Sequence, residues 1–244
     1  MTDSRPLLGI TFDFWNTLVY EDRGHLRGRR VDRWAGILEE AGYAIEREHL
    51  GAVYDEIWDD YVHSWRANEQ FLSAQAAERA VEQLGFDVEP AVRDELVDAF
   101  GRAGEGAELH LVTGVADCVR HLKRRGFALG IVCDVGFTPS RTLQAFLERR
   151  GLLTEFDAVA FSDEVGVYKP DPAIFRHALT GMGVEPERAA HVGDLRRTDV
   201  AGGRAMGMTT VRFIGVNDDE SQPEPEADHV IDDYGRLLTV LGLG

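Results

Sequence analysis

Short apolar and β-branched runs recur along the chain at 7–12, 127–133, 158–161, 189–192, 209–214 and 229–231. Stretches with helical spacing separate most of them, and this alternation predicts an α/β domain built on a parallel sheet. Asp171 followed by Pro172 reads as an N-cap and first helical residue, and Glu185 with Pro186 reads as a second helix entry. After the run at 189–192, "DVAGGRAMGM" predicts a helix rich in small residues.

From Glu21 to Gly104 the rhythm changes. Val31, Trp34, Ala35 and Leu38 fall on one helical face, and Tyr54, Trp58, Tyr61 and Trp65 on another, so this stretch reads as amphipathic helices without strands. Its edges, "EDRGHLRGRR" and "GRAGEGAE", are polar and contain glycine, as paired connections between domains are. The pattern therefore predicts a Rossmann-like core of residues 1–20 and 105–244, interrupted by a helical insertion at 21–104. The acidic, proline-containing "ESQPEPEAD" near the C-terminus reads as a solvated loop.

Composition narrows the partners. A formal net charge of -17 repels nucleic-acid backbones and anionic membranes. No apolar stretch approaches the ~18 residues of a membrane span. Cys118 and Cys133 are too few for a disulfide framework and fit reduced thiols. The expectation is a soluble, cytoplasmic protein acting on a small molecule. Lysine is scarce: of 26 Lys and Arg residues only Lys123 and Lys169 are lysine, so a lysine at a particular place carries information.

The candidate chemistry lies at the ends of the strands. "ITFD" ends on Asp13, "IVCD" on Asp134, and "HVGD" reaches Asp194 after one glycine, while "VAFSD" reaches Asp163 after one serine. In a parallel sheet these ends share one edge, where ligands bind. A lone aspartate there is commonly only a turn or cap residue. Asp13, Asp194 and the nearby Asp199 together would repel one another unless protons or a cation intervene. A hard cation with oxygen ligands, Mg²⁺ in particular, suits such a set.

"DFWNTL" with Asp13, "KPDPAIF" with Lys169 and "HVGDLRRTDVAGGRAMGM" with Asp194 and Asp199 resemble, in order, the motifs of the haloacid dehalogenase-like (HAD) hydrolases. With a helical cap at 21–104, the resemblance covers nearly the whole chain. It implies that Asp13 is a nucleophile forming a covalent aspartyl intermediate. It further implies that Asp13, the Trp15 carbonyl and Asp194 hold Mg²⁺, with Asp199 acting directly or through water, and that Lys169 pairs with the nucleophile and with developing negative charge. The residues agree, since Pro170 biases Lys169 to an extended backbone just before a helix and an ammonium is a compact point charge.

Two motifs depart from the family's phosphatases. Trp15 stands where a second aspartate normally protonates the leaving group, a step worth typically 10²–10⁴-fold. Cys133 and Asp134 stand where Ser or Thr, often followed by Asn, is usual, and they line the expected substrate position. A phosphate dianion there would call on further cations, with Arg196, Arg197 and Arg27 to Arg30 as candidates. The sequence therefore favours a Mg²⁺-dependent phosphatase of a small metabolite with a good leaving group. Its alternatives are a metal-independent 2-haloacid dehalogenase-like hydrolase, motivated by Trp15, and a binding or regulatory module that has lost turnover.

Overall fold

The computed structural model describes residues 6–220 and 226–243. The chain divides into two compact units. One takes the described parts of Met1–Tyr20, His110–Asp134 and Leu147–Gly244; the other takes Glu21–Leu109 with Val135–Phe146. Part of the expected acidic loop, 221–225, lies outside the described residues.

The strands are β1 (Gly9–Phe12), β2 (Val19–Glu21), β3 (Leu109–Leu111), β4 (Ala128–Cys133), β5 (Ala158–Phe161), β6 (Ala189–Gly193), β7 (Thr209–Phe213) and β8 (His229–Ile231). β2 and β3 pair with each other where the chain passes from one unit to the other. The rest form a 6-stranded sheet in the order β5-β4-β1-β6-β7-β8, every pairing parallel. The fold is α/β, as the alternating pattern predicts.

Among the described residues the helices are α1 (His25–Glu40), α2 (Arg47–Ala67), α3 (Ser73–Glu82), α4 (Pro90–Arg102), α5 (Val115–Arg124), α6 (Ser140–Arg149), α7 (Ser162–Val165), α8 (Pro172–Met182), α9 (Ala201–Met206) and α10 (Leu237–Val240). Asp171 caps α8 as expected, its side chain accepting from the Ala173 amide at 2.8 Å, a contact worth about 1 kcal/mol. Glu185 and Pro186 open only a single 3-10 turn, Pro186–Arg188, because β6 begins at the next residue.

Strand alternation sends successive β1 side chains to opposite faces, and both faces are covered, which is why these strands read as continuous apolar runs. On one face Phe12 meets Phe156 edge-on at 6.3 Å and Tyr234 at 6.4 Å. On the other, Ile174, Phe175, Ala178, Leu179 and Met182 of α8 pack with Val132, Ala160 and Ala189 of the sheet. Phe12 is paired in register with Ile131 on one side and Val192 on the other. The chain therefore leaves β1, β4 and β6 at one edge of the sheet, close together.

The second unit is helical. Trp34, Ala35 and Leu38 are buried along α1, and the Trp34 Nε1–H donates to the Leu96 carbonyl at 2.8 Å. Val135–Phe146, which the sequence assigns to the core, groups with these helices for a visible reason. Phe137 is buried against Tyr54, Trp58, Tyr61, Phe71 and Phe100, with ring centroids 5.2 to 6.4 Å away. One aromatic side chain thus anchors the loop that follows Asp134 into the helical unit.

Candidate active site

The exits of the central strands bring four of the expected residues into one buried cluster. The Lys169 ammonium donates to Asp13 Oδ1 at 2.5 Å and to Asp199 Oδ1 at 2.7 Å. Carboxylate oxygens of Asp13, Asp194 and Asp199 lie within 4.8 Å of one another. All four side chains are buried; Asp13 is 5% exposed and Lys169 2%. Gly193 makes this approach possible, since a Cβ there would sit 2.2 Å from Asp199 Cγ. The glycine of "VGD" is thus required by the carboxylate folded against it.

The remaining expected residues lie around the cluster. Asp134 Oδ1 accepts the Lys169 backbone N–H at 2.9 Å, so this carboxylate helps hold the lysine as well as lining the edge. Cys133 is fully buried at the end of β4. Burial, and then the neighbouring Asp13 charge, push its thiol well above the usual range, which removes it as a thiolate nucleophile. Trp15 is half-buried, its indole edge-on to Phe14 at 5.2 Å. A tight turn follows Asp13: the amides of Leu18 and Val19 both donate to the Phe14 carbonyl at 2.9 Å.

Sequence reasoning missed three side chains that touch the cluster. Asn16, at a left-handed φ of 57°, donates its amide to Asp194 Oδ2 at 3.3 Å, a backbone region where asparagine is enriched. Asn217, from the loop after β7, donates to the same oxygen at 2.8 Å. His191 lies within β6, its Nε2 3.0 Å from Asp199 Oδ1 and its Nδ1 2.8 Å from Thr11 Oγ1. Burial pushes its pKa down, so the ring is neutral. Assigned from this network, Nε2–H donates to Asp199 while Nδ1 accepts the Thr11 hydroxyl. A lone polar ring between Ala190 and Val192 was the available signal; Asn217 offered only its place after a strand of the same sheet.

The electrostatics are unbalanced. Burial raises Asp13 well above its ordinary range; Lys169 opposes this, and Asp199 and Asp194 add to it. Asp194 is pushed up to about 7 by burial and then by Asp199, against the amides of Asn217 and Asn16. Asp199 is held below its usual range, because Lys169 and the His191 hydrogen bond outweigh burial. Lys169 is raised, its carboxylate neighbours outweighing burial. One ammonium among three buried carboxylates leaves excess negative charge that only protons or a cation can relieve. The all-oxygen donor set fits a hard divalent cation such as Mg²⁺.

Of the arginines expected to assist a phosphate, Arg196, Arg27, Arg29 and Arg30 are engaged elsewhere. Arg196 donates its guanidinium to Glu226 at 2.8 Å. Arg27 forms a fork with Asp55, Arg29 bonds the Ala103 and Glu105 carbonyls, and Arg30 bonds the Phe137 carbonyl at 2.8 Å. The acidic loop is likewise more than a solvated tail: Glu226 grips Arg212 through both oxygens at 2.8 Å, and Asp228 accepts from the Thr210 amide and hydroxyl.

A family model described as haloacid dehalogenase-like hydrolase matches residues 8–207. The haloacid dehalogenase-like hydrolase domain-containing protein 3 of Mus musculus is 34% identical over 62% of this chain and 59% of its own length. A phosphoserine phosphatase of Thermus thermophilus is 36% identical over 59% of this chain and 57% of its own length. The chain thus spans about three fifths of these curated relatives. A ribulose-1,5-bisphosphate 5-phosphatase of Halopiger xanaduensis is 29% identical over 95% of this chain and 98% of its own length. Among solved structures, a 2-haloacid dehalogenase from Pseudomonas syringae shares the fold with a TM-score of 0.70 at 22% identity, covering 97% of this chain and 98% of that one. No described helix is long and apolar enough to cross a membrane. With the ordered motifs, the parallel sheet and the match over most of its length, the chain belongs to the haloacid dehalogenase-like hydrolases.

Proposed function

We propose that this hydrolase is a Mg²⁺-dependent phosphatase of a small phosphorylated metabolite, with Asp13 as nucleophile. Asp13, Asp194, Asp199 and the Trp15 carbonyl would hold the cation, and the helical unit would serve as the substrate-selecting cap. The observation that carries the reading is the Lys169 ammonium bridging Asp13 and Asp199 beside Asp194. Phosphatases among the relatives support it.

In this reading Lys169 orients Asp13 through their hydrogen bond and opposes the burial that favours its protonated form, and a bound cation would supply the remaining charge that keeps the carboxylate ionised. An Asp13 oxygen attacks phosphorus, the new O–P bond forming as the bond to the leaving oxygen breaks and its electron pair departs with that oxygen. Water then attacks the same phosphorus, loses its proton to solvent, and releases phosphate and the free carboxylate. When bound, Mg²⁺ supplies charge neutralisation for the phosphoryl oxygens. The Trp15 indole is a donor that neither yields nor takes a proton at neutral pH. The favoured substrates are therefore acyl and aryl phosphates, whose leaving oxygens depart as anions, with alkyl phosphates slower by roughly 10²–10⁴-fold.

The test is phosphate release from a panel of acyl, aryl and alkyl phosphates, with and without chelator, by the wild type and Asp13→Asn. Release that needs both Mg²⁺ and Asp13 is expected; none from any member would end this reading. Trp15 favours a second one, displacement of halide from a 2-haloacid by Asp13 without metal. Chloride release that persists in chelator would establish that alternative. Any turnover abolished by Asp13→Asn refutes a purely binding or regulatory role.

A further inference from the structure

Asp194 differs from the other carboxylates of the cluster in what occupies it. Its Oδ2 takes the Asn217 amide at 2.8 Å and the Asn16 amide at 3.3 Å. Two N–H donors fill the lone pairs of that oxygen and leave Oδ1 as the free ligand atom. We propose that Asn217, seconded by Asn16, makes Asp194 a one-oxygen ligand and so sets the site's preference for Mg²⁺ over Ca²⁺. The proposal rests on the reading that this cluster holds a divalent cation. Mg²⁺ takes single oxygens in a tight octahedron, whereas Ca²⁺ tolerates higher coordination and gains from carboxylates that bind through both oxygens. An Asp194 free to turn and offer both oxygens would narrow the difference between the two ions.

The loop that delivers Asn217 is fixed on both sides of it. Arg212, 4% exposed, donates Nη1 to Asp218 Oδ1 at 2.5 Å and a two-bond fork to Glu226. The Arg196 amide donates to Asp219 Oδ2 at 2.7 Å, and the Arg196 guanidinium shares Glu226. At the loop's start Gly215 lies so close to the Asp232 carbonyl that a Cβ would come within 2.4 Å of it. Asn217 therefore reaches Asp194 on a segment clamped at residues 215, 218 and 219. Such an outer partner typically alters metal affinity by roughly 10–100-fold when removed.

The experiment is calorimetric titration of Mg²⁺ and of Ca²⁺ into the metal-stripped full chain, wild type and Asn217→Ala, with thermal unfolding of each protein in chelator. The wild type is expected to bind Mg²⁺ more tightly than Ca²⁺. Asn217→Ala is expected to lose roughly tenfold or more in Mg²⁺ affinity while Ca²⁺ binding holds or tightens. A merely structural role would lower both affinities together and shift the chelator melting point. Asn16→Gly, which suits the φ of 57° at that position, should move the ratio in the same direction by less. It also carries the test if Asn217→Ala does not fold. Parallel loss of both ions, or an unchanged ratio in a wild type that binds Mg²⁺, overturns the role given to Asn217 and leaves the metal reading intact. A wild type that binds neither ion overturns both.

Discussion

The helical unit and the Asp13 cluster of the α/β unit handle buried charge in opposite ways. In the helical unit Arg30 is 3% exposed, yet its guanidinium is met by the Phe137, Phe100 and Leu26 carbonyls and lies 5.0 Å from the centre of the Phe100 ring. It draws α1, α4 and the loop after β4 together within that unit. In the α/β unit Asp13, Asp194 and Asp199 are as deeply buried but share one ammonium. A buried charge satisfied by carbonyls and π-faces serves folding. One left short of partners among like charges is held against its own electrostatics, as catalytic and metal-binding groups commonly are.

Asp13→Asn tests the contrast hardest. Turnover should fall by about 10⁴-fold or more, roughly 5.5 kcal/mol in barrier. The metal-free protein should melt no lower than the wild type, and by relief of repulsion up to about 2–4 °C higher. Rate assays with thermal unfolding in chelator check both; a less stable variant would mean that the cluster is structural. Arg30→Ala should do the reverse. It strips donors from buried carbonyls, each costing about 1–3 kcal/mol, for a total near 3 kcal/mol in denaturant unfolding, with Mg²⁺ affinity unchanged. Metal binding that falls along with its stability would show that the units are not energetically separate.

Trp15→Asp probes the leaving-group side of the same cluster. It restores a group able to protonate a leaving oxygen and should raise turnover of alkyl phosphates about 100-fold relative to aryl phosphates, the low end of acid–base contributions. An unchanged ratio would mean that Trp15 does not face the leaving group. The smallest effect is acid stability. The Arg212 fork lowers Glu226 below its ordinary range, and the Thr210 bonds lower Asp228 against the opposing effect of burial. A depressed carboxylate stabilises above its unfolded pKa, near 4, and that stability is lost as pH falls through the folded value. Both side chains are more than a third exposed, 39% and 43%, so solvent screening holds each well below about 1 kcal/mol. Unfolding midpoints in Glu226→Gln should therefore approach the wild type only as pH drops below about 4.

Much of this arrangement was legible in the chain. The runs from Leu7 to Ile231 marked the sheet strands because parallel strands buried on both faces are apolar throughout. Asp13, Asp194, the nearby Asp199 and Lys169 marked the cluster, whereas Asp163, also near a strand end, lies outside it. What the sequence concealed depends on contacts distant along the chain. Phe137 is one more apolar residue after a strand until Tyr54, Trp58 and Phe100 surround it. Asn217 sits in "GVNDDE", which reads as a polar loop, and only the clamp by Arg212 and Arg196 turns it towards Asp194. Arg27 to Arg30 read as free cations, but their carbonyl and carboxylate partners lie up to 107 residues away.

If Asp13 is the nucleophile, it bonds to the transferred group itself. The most direct measurement is to mix the protein with Mg²⁺ and an acyl or aryl phosphate, quench within one turnover, reduce with borohydride, and map the residue at position 13 by mass spectrometry. An aspartyl phosphate is reduced to homoserine, and homoserine at position 13, absent when phosphate ester or Mg²⁺ is withheld, is the result expected. Unmodified aspartate at position 13 in a protein that is demonstrably turning over would contradict the account.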